Sequence, residues 1–253
     1  MSEVAEKCIH WIRNYFEETH GENAVVGISG GKDSTVVAAL CAKALGKDRV
    51  VGVLMPNGIQ SDIDDSHKVC DFLGIRKFVV DISGAYSAIA NGVFNSSDEI
   101  SELSEQARIN IAPRLRMTTL YAVAQCVNGR VANTSNFDES LMGYSTLWGD
   151  SVGDFAPLVN LHVSGVIDMG HRLGLPEWMV KKAPSDGLTG KTDEDSLGFS
   201  YKVVESMFDK LTDYRRSEFT EKEKKACERW ERMKWKRSMV CGMPAFDPQE
   251  DEA

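Results

Sequence analysis

The sequence predicts an α/β fold, a doubly wound parallel sheet with helices on both faces. Three observations point to it. Short apolar runs alternate with segments of helical period through the first half of the chain. The runs are apolar throughout instead of at every second residue, as in strands covered on both faces. The turn after the first run is glycine-rich and opens a helix. In such sheets ligands bind beyond the carboxyl ends of the strands.

The elements follow in order. An amphipathic helix opens the chain, with Val4, Cys8, Ile9, Ile12 and Phe16 on one stripe. Residues 24–28 read as a buried strand, 34–45 as a helix ending near Gly46, and 50–55 as a second strand stopped by Pro56-Asn57-Gly58. A helix over about 62–73 ends at Gly74, and 77–82 gives a third strand. A long helix over about 102–127 leads to a fourth strand at 130–133. From 143 to 198 the chain is rich in Gly, Asp, Ser and Pro, with one clear helix at 164–173. A charged helix over 220–237 follows, and the acidic tail at about 248–253 is expected to be disordered. Segments 83–100 and 183–198 are expected as mobile loops, the second as a lid. Neither a repeat nor a linker interrupts the chain, which predicts a single domain over 1–253.

Composition bounds the function. The 253 residues are 42% hydrophobic and 26% charged, with 29 Lys and Arg against 38 Asp and Glu and a formal charge of −9. That acidity argues against gripping long nucleic acid or an anionic membrane, though not against a local nucleotide site. The six cysteines show no C-x-x-C spacing and read as scattered reduced thiols. No stretch reaches the roughly 20 apolar residues of a membrane span, and the first 20 residues are no signal peptide. A cytoplasmic protein is expected.

The sharpest local signal is Ser29-Gly30-Gly31-Lys32-Asp33-Ser34, preceded by Gly27-Ile28. The two glycines allow a tight turn and close approach of a ligand. The free N–H groups at the start of the next helix favour an anion. It is not a Walker A loop, because only three residues separate Gly27 from Gly31-Lys32 and Asp33 follows. A carboxylate beside phosphate needs a bridging cation, and Mg²⁺ is the ion that carboxylates and phosphate oxygens share.

This hexapeptide resembles the SGGxDS signature of the PP-loop, or N-type ATP pyrophosphatase, superfamily. The resemblance implies attack of a substrate oxygen on the α-phosphate of ATP, release of pyrophosphate and an adenylate. Residues 133–158 then resemble the NAD⁺ synthetase pattern: Asn133-Thr134-Ser135-Asn136, Glu139, Gly143-Tyr144-Ser145-Thr146-Leu147-Trp148-Gly149-Asp150, and Asp154 before Pro157. Asn110, Arg114 and Arg116 are similar to the family's N-x-x-x-R-x-R-M. Ser185, Thr192-Asp193-Glu194, Leu197-Gly198 and Tyr201 match a third segment, and Trp235-Lys236-Arg237 a fourth. The likeness spans roughly residues 24–246.

The resemblance implies an ammonia-using NAD⁺ synthetase that amidates deamido-NAD⁺. Gly27 to Ser34, Thr134 and Ser185 would contact ATP, Asp33 and Glu139 would hold Mg²⁺, and Arg114, Asp154 and Lys236 would contact the dinucleotide. It also implies a homodimer. The departures are Asn133 for Gly, Trp235 for His, Leu147 for a Lys found in some members, and Val163 for an ATP-contacting Lys. Lys32, Lys182 or Lys191 would compensate. Length bears on the nitrogen source, since a fused glutaminase needs a further domain with its own cysteine nucleophile, and free ammonia is expected. The alternatives are a GMP-synthetase-like amidase, a tRNA-thiolating enzyme, and a non-catalytic nucleotide-binding protein. A nucleic-acid handle at 220–237 is disfavoured by Glu221, Glu223, Glu228 and Glu231.

Overall fold

The computed structural model describes residues 3–59, 63–181, 192–239 and 242–249. Its elements are α1 (Glu3–Glu18), β1 (Asn23–Gly27), α2 (Lys32–Leu45), β2 (Val50–Leu54), α3 (Ile63–Leu73), β3 (Arg76–Val79), α4 (Ser83–Phe94), α5 (Glu105–Cys126) and β4 (Gly129–Ala132). There follow α6 (Phe137–Met142), α7 (Val163–Arg172), α8 (Glu177–Val180), α9 (Asp193–Leu197), α10 (Tyr201–Thr212), α11 (Glu221–Arg232) and α12 (Lys234–Arg237).

Among the described residues the sheet is four-stranded and parallel, in the order β3-β2-β1-β4. Isolated bridges continue it sideways, Phe155 beside Ala132 and Ala245 beside Ala156. The pleat sends alternate residues to opposite faces. Ala24, Val26, Val50 and Leu54 join a cluster with Ile9, Ile12 and Phe16 of α1 and Leu40 of α2. Val25, Val51, Val53 and Val131 face Ala112, Leu120 and Ala124 of α5. The sheet is therefore doubly wound, as expected. In the middle of β2, Gly52 has no room for a Cβ, which would meet Cys70 Sγ at 2.8 Å. A third cluster forms away from the sheet, from Leu141 and Met142 of α6, Tyr201, Val204 and Met207 of α10, and Ala226 and Cys227 of α11.

Several expectations are corrected. β3 is not covered on both faces: all four of its residues are exposed, as an edge strand's can be. The segment 83–100, expected as a loop, carries helix α4 over Ser83–Phe94. None of that helix is buried, so no core-facing stripe announces it, and Gly84 and Gly92 are poor helix formers. α10 has no counterpart among the expected elements, although Tyr201, Val204 and Met207 lie on one buried stripe. The charged helix at 220–237 divides at Met233 into α11 and α12. The acidic tail from residue 250 and most of the expected lid, residues 182–191, lie outside the described residues.

Candidate functional site

The phosphate turn joins β1 to α2 at the carboxyl end of the sheet. Gly30 takes φ +77°, the left-handed region. A Cβ there would also lie 3.0 Å from the backbone N of Ser66, so conformation and space both require glycine. Ser29 Oγ accepts from Gly31 N and lies 3.2 Å from Ser34 Oγ. Ser34 and Thr35 hydroxyls both donate to Gly31 O. The N-cap of α2, Gly31, has no side chain to cap the first amides. Those amides and the helix dipole make an anion site.

The second half of the site comes from the loop after β4. Asn136 is fully buried and caps α6. Its Oδ1 accepts from Glu139 N at 3.0 Å, its own N–H donates to Glu139 Oε2 at 3.2 Å, and its Nδ2 donates to Asp33 Oδ1 at 3.1 Å. One residue thus touches both carboxylates, Asp33 through its side-chain amide and Glu139 through its backbone N–H. In the sequence, Asn136 stands within the motif without an assigned role. Its signal is an Asn three residues before a Glu at a helix start, which is a capping box.

Charge at the centre is unbalanced. Lys32 Nζ lies 2.8 Å from Asp33 Oδ2. Asp193, at the start of α9, accepts from the Tyr201 hydroxyl at 3.1 Å and faces the same group. Burial pushes Glu139's carboxyl well above the usual range, the Asp33 carboxylate adds to this, and Lys32 opposes it. Burial likewise raises Asp193. Three carboxylates face one ammonium, and the donors are all hard oxygens. A divalent cation of the Mg²⁺ type fits that set.

Among the described residues, a different group is the one whose ligand atoms lie close enough to share an ion: Asp138, His162 and Glu205. Three of its four carboxylate oxygens are already engaged. Asp138 accepts from His162 Nδ1 at 2.7 Å and from Val163 N at 2.8 Å, and Glu205 accepts from Ser164 N at 3.0 Å. These bonds cap the first amides of α7, a structural role. Val163, where the sequence lacks a lysine, is the first residue of that helix.

The residues expected to meet the dinucleotide line the other side of the β4 loop. Arg114 is exposed on α5 and its Nε donates to Leu147 O at 3.1 Å. Asp154 accepts from Val131 N at 2.7 Å and from the Tyr121 hydroxyl at 3.2 Å, so its carboxylate is fixed by the sheet and α5. Beside it lies a cavity of about 300 Å³ lined by Trp148, Val152, Asp154, Met239, Met243 and Pro244. Trp148 is exposed and has φ +62°, unusual for so bulky a residue. Lys236 is not at this cavity: it donates to Gly143 O at 2.7 Å and to Ser145 O. With Arg229 and Arg237, which reach Met142 O and Leu141 O, it closes the carboxyl end of α6. Thr134 is half-buried on the loop between β4 and α6. Ser185, Lys182 and Lys191 lie outside the described residues.

Comparison with known proteins extends over nearly the whole chain. Residues 4–240 match the family described as NAD synthase. The NH₃-dependent NAD⁺ synthetase of Thermococcus sibiricus is 41% identical over 213 residues, 84% of this chain and 82% of that protein. An NMN synthetase structure from Francisella tularensis superimposes with a TM-score of 0.81 and 32% identity, over 94% of this chain and 96% of its own. An NH₃-dependent NAD synthetase from Campylobacter jejuni gives 0.76 and 26%, over 96% and 98%.

Proposed function

The chain belongs to the NAD synthase family, and from that premise we infer that it is an NH₃-dependent NAD⁺ synthetase, a ligase that forms a carbon–nitrogen bond by cleaving ATP. The observation that carries the reading is the Asn136 side chain, which joins Asp33 of the phosphate turn to Glu139 of the family's second motif.

The nicotinate carboxylate of deamido-NAD⁺ attacks the α-phosphorus of ATP, pyrophosphate leaves, and ammonia then displaces AMP from the adenylate. Asp33 and Glu139 would hold Mg²⁺, which supplies charge neutralisation at the phosphates. The first amides of α2, with Ser29 and Ser34, bind the phosphate oxygens. No side chain forms a covalent bond, so positioning and electrostatics carry the rate. Thr134 and Ser185 contact ATP. Arg114, Asp154 and the Trp148 cavity receive the dinucleotide, Arg114 by pairing two oxygens of its pyrophosphate. Lys236 acts there through the Gly143–Ser145 carbonyls that it holds. A second acceptor is the nicotinate mononucleotide, favoured by the likeness to the NMN synthetase.

The enzyme works as a homodimer in the cytoplasm. The dimer is supported by exposed apolar side chains, Ile89, Val93 and Phe94 on α4 and Phe78 and Val79 on β3. The compartment is supported by five described cysteines, all free thiols. No helix among the described residues is long and apolar enough to cross a membrane.

The test is a mixture of protein, ATP, Mg²⁺ and an ammonium salt with either deamido-NAD⁺ or the mononucleotide, followed for NAD⁺ or NMN and for AMP. Amide product with ammonium and not with glutamine is expected. No amide from either acceptor would overturn the substrate. Asn136→Ala should leave both carboxylates in place but unaligned. The Mg²⁺ concentration for half-maximal turnover should then rise about 10-fold or more, and an unchanged Mg²⁺ titration would remove Asn136 from the site.

A further inference from the structure

Lys32 stands where a lysine is disfavoured twice. It is the first residue of α2, where the helix dipole repels a cation. Its side chain is only 3% exposed, so the ammonium has lost its hydration. The turn does not need it, because Gly30 supplies the conformation and Ser29, Ser34 and Thr35 supply the hydrogen bonds. What holds it is charge. Nζ donates to Asp33 Oδ2 at 2.8 Å, the Glu139 and Asp193 carboxylates attract it, and it lies 5.9 Å from the centre of the Tyr201 ring.

We propose that Lys32 is an internal cation that holds the Asp33 carboxylate until the divalent ion takes it, and that the displaced ammonium passes to the triphosphate. The proposal rests on the metal and ATP chemistry inferred above for this site. Asp33 Oδ1 is engaged by Asn136, so the exchange takes place at Oδ2, the oxygen Lys32 holds. Without the ammonium, three carboxylates would stand uncompensated in a half-buried crevice. Once the metal binds, the ammonium is in surplus there, and the nearest new negative charge is the nucleotide that arrives with the ion. A flexible four-carbon stem lets Nζ make that move without shifting α2. The phosphates then meet two cations, the metal and Lys32.

The experiment measures Mn²⁺ binding to nucleotide-free protein by electron paramagnetic resonance, for the natural chain and for Lys32→Met. Removing the competing ammonium should tighten Mn²⁺ binding about 10-fold or more. Pyrophosphate release from saturating Mg·ATP should fall about 100-fold, with the KM for the nicotinate substrate unchanged. Mn²⁺ binding that is no tighter, or absent from both proteins, overturns the proposal, and so does undiminished pyrophosphate release. Lys32→Gln, which keeps a donor to Asp33 and drops the charge, gives the same reading if the Met variant does not fold. Lys32→Arg should bind Mn²⁺ as the natural chain does. The metal arm needs no nicotinate substrate. Tighter Mn²⁺ binding in a protein that makes no amide would therefore overturn the reaction alone.

Discussion

Asp33→Ala should abolish pyrophosphate release, by about 1,000-fold or more, while the far-ultraviolet circular dichroism stays that of the natural chain. Asp33 is the one carboxylate of the site on the phosphate turn, and both of its oxygens are committed, one to Asn136 and one to Lys32. Losing it removes the proposed metal ligand and releases Lys32 and Asn136 from their alignment. Charge stabilisation of this kind commonly contributes more to catalysis than any other effect, roughly a hundredfold to a thousandfold for a single donor and more for a metal. The fold should survive, because the turn's conformation rests on Gly30 and its hydroxyl bonds. The buried ammonium still has Glu139 and Asp193. A folded variant that releases pyrophosphate at a tenth of the normal rate or faster would remove Asp33 from the metal.

The largest effect on stability is expected at Asp138, beside Glu139, which has no assigned role in chemistry. Asp138 is fully buried, and its oxygens bind His162 Nδ1 and the first amide of α7. Asp138→Ala strands both donors, and breaking such a pair costs about 3–5 kcal/mol, or roughly a 10 °C fall in Tm for a chain of this size. The effect has a pH signature. The hydrogen bond to Asp138 raises His162 above its ordinary 6.5, and burial only partly opposes it. A folded-state pKa above the unfolded value means that the protonated form stabilises. That contribution is complete below 6.5 and is lost as the pH rises through the folded pKa. The gap in stability between the natural chain and Asp138→Ala should therefore be wider at about pH 6 than at about pH 8. It should not close, because neutral His162 still donates to the carboxylate. A gap that does not change with pH would mean that His162 takes no part.

Much of this molecule can be read from its residues alone. The strands at β1, β2 and β4 are short apolar runs between turn signals, and the stripe of α1 is regular, so local pattern and tertiary burial agree. The phosphate turn is legible because glycine, hydroxyls and a carboxylate each answer a physical demand within six residues. α4 and α10 are not legible, for different reasons. α4 has no fully buried residue and packs on the core only through half-buried Tyr86, so its apolar residues follow no core-facing period. α10 follows a long stretch rich in Gly, Asp and Ser, and its partners in the third cluster lie in α6 and α11, outside its own segment.

The sequence by itself determined the α/β class and the place of the phosphate turn, because each depends on local residue type and spacing, while Glu139 is matched to Asp33 only through the family resemblance. Only the tertiary structure decided what joins and fills that pair. Asn136 reaches across 103 residues of chain to Asp33, Lys32 turns inward, Asp193 arrives from a later segment, and Lys236 closes α6 instead of facing the cavity. The physical reason is that direction and burial of a side chain are set by packing between distant segments, which no local pattern encodes.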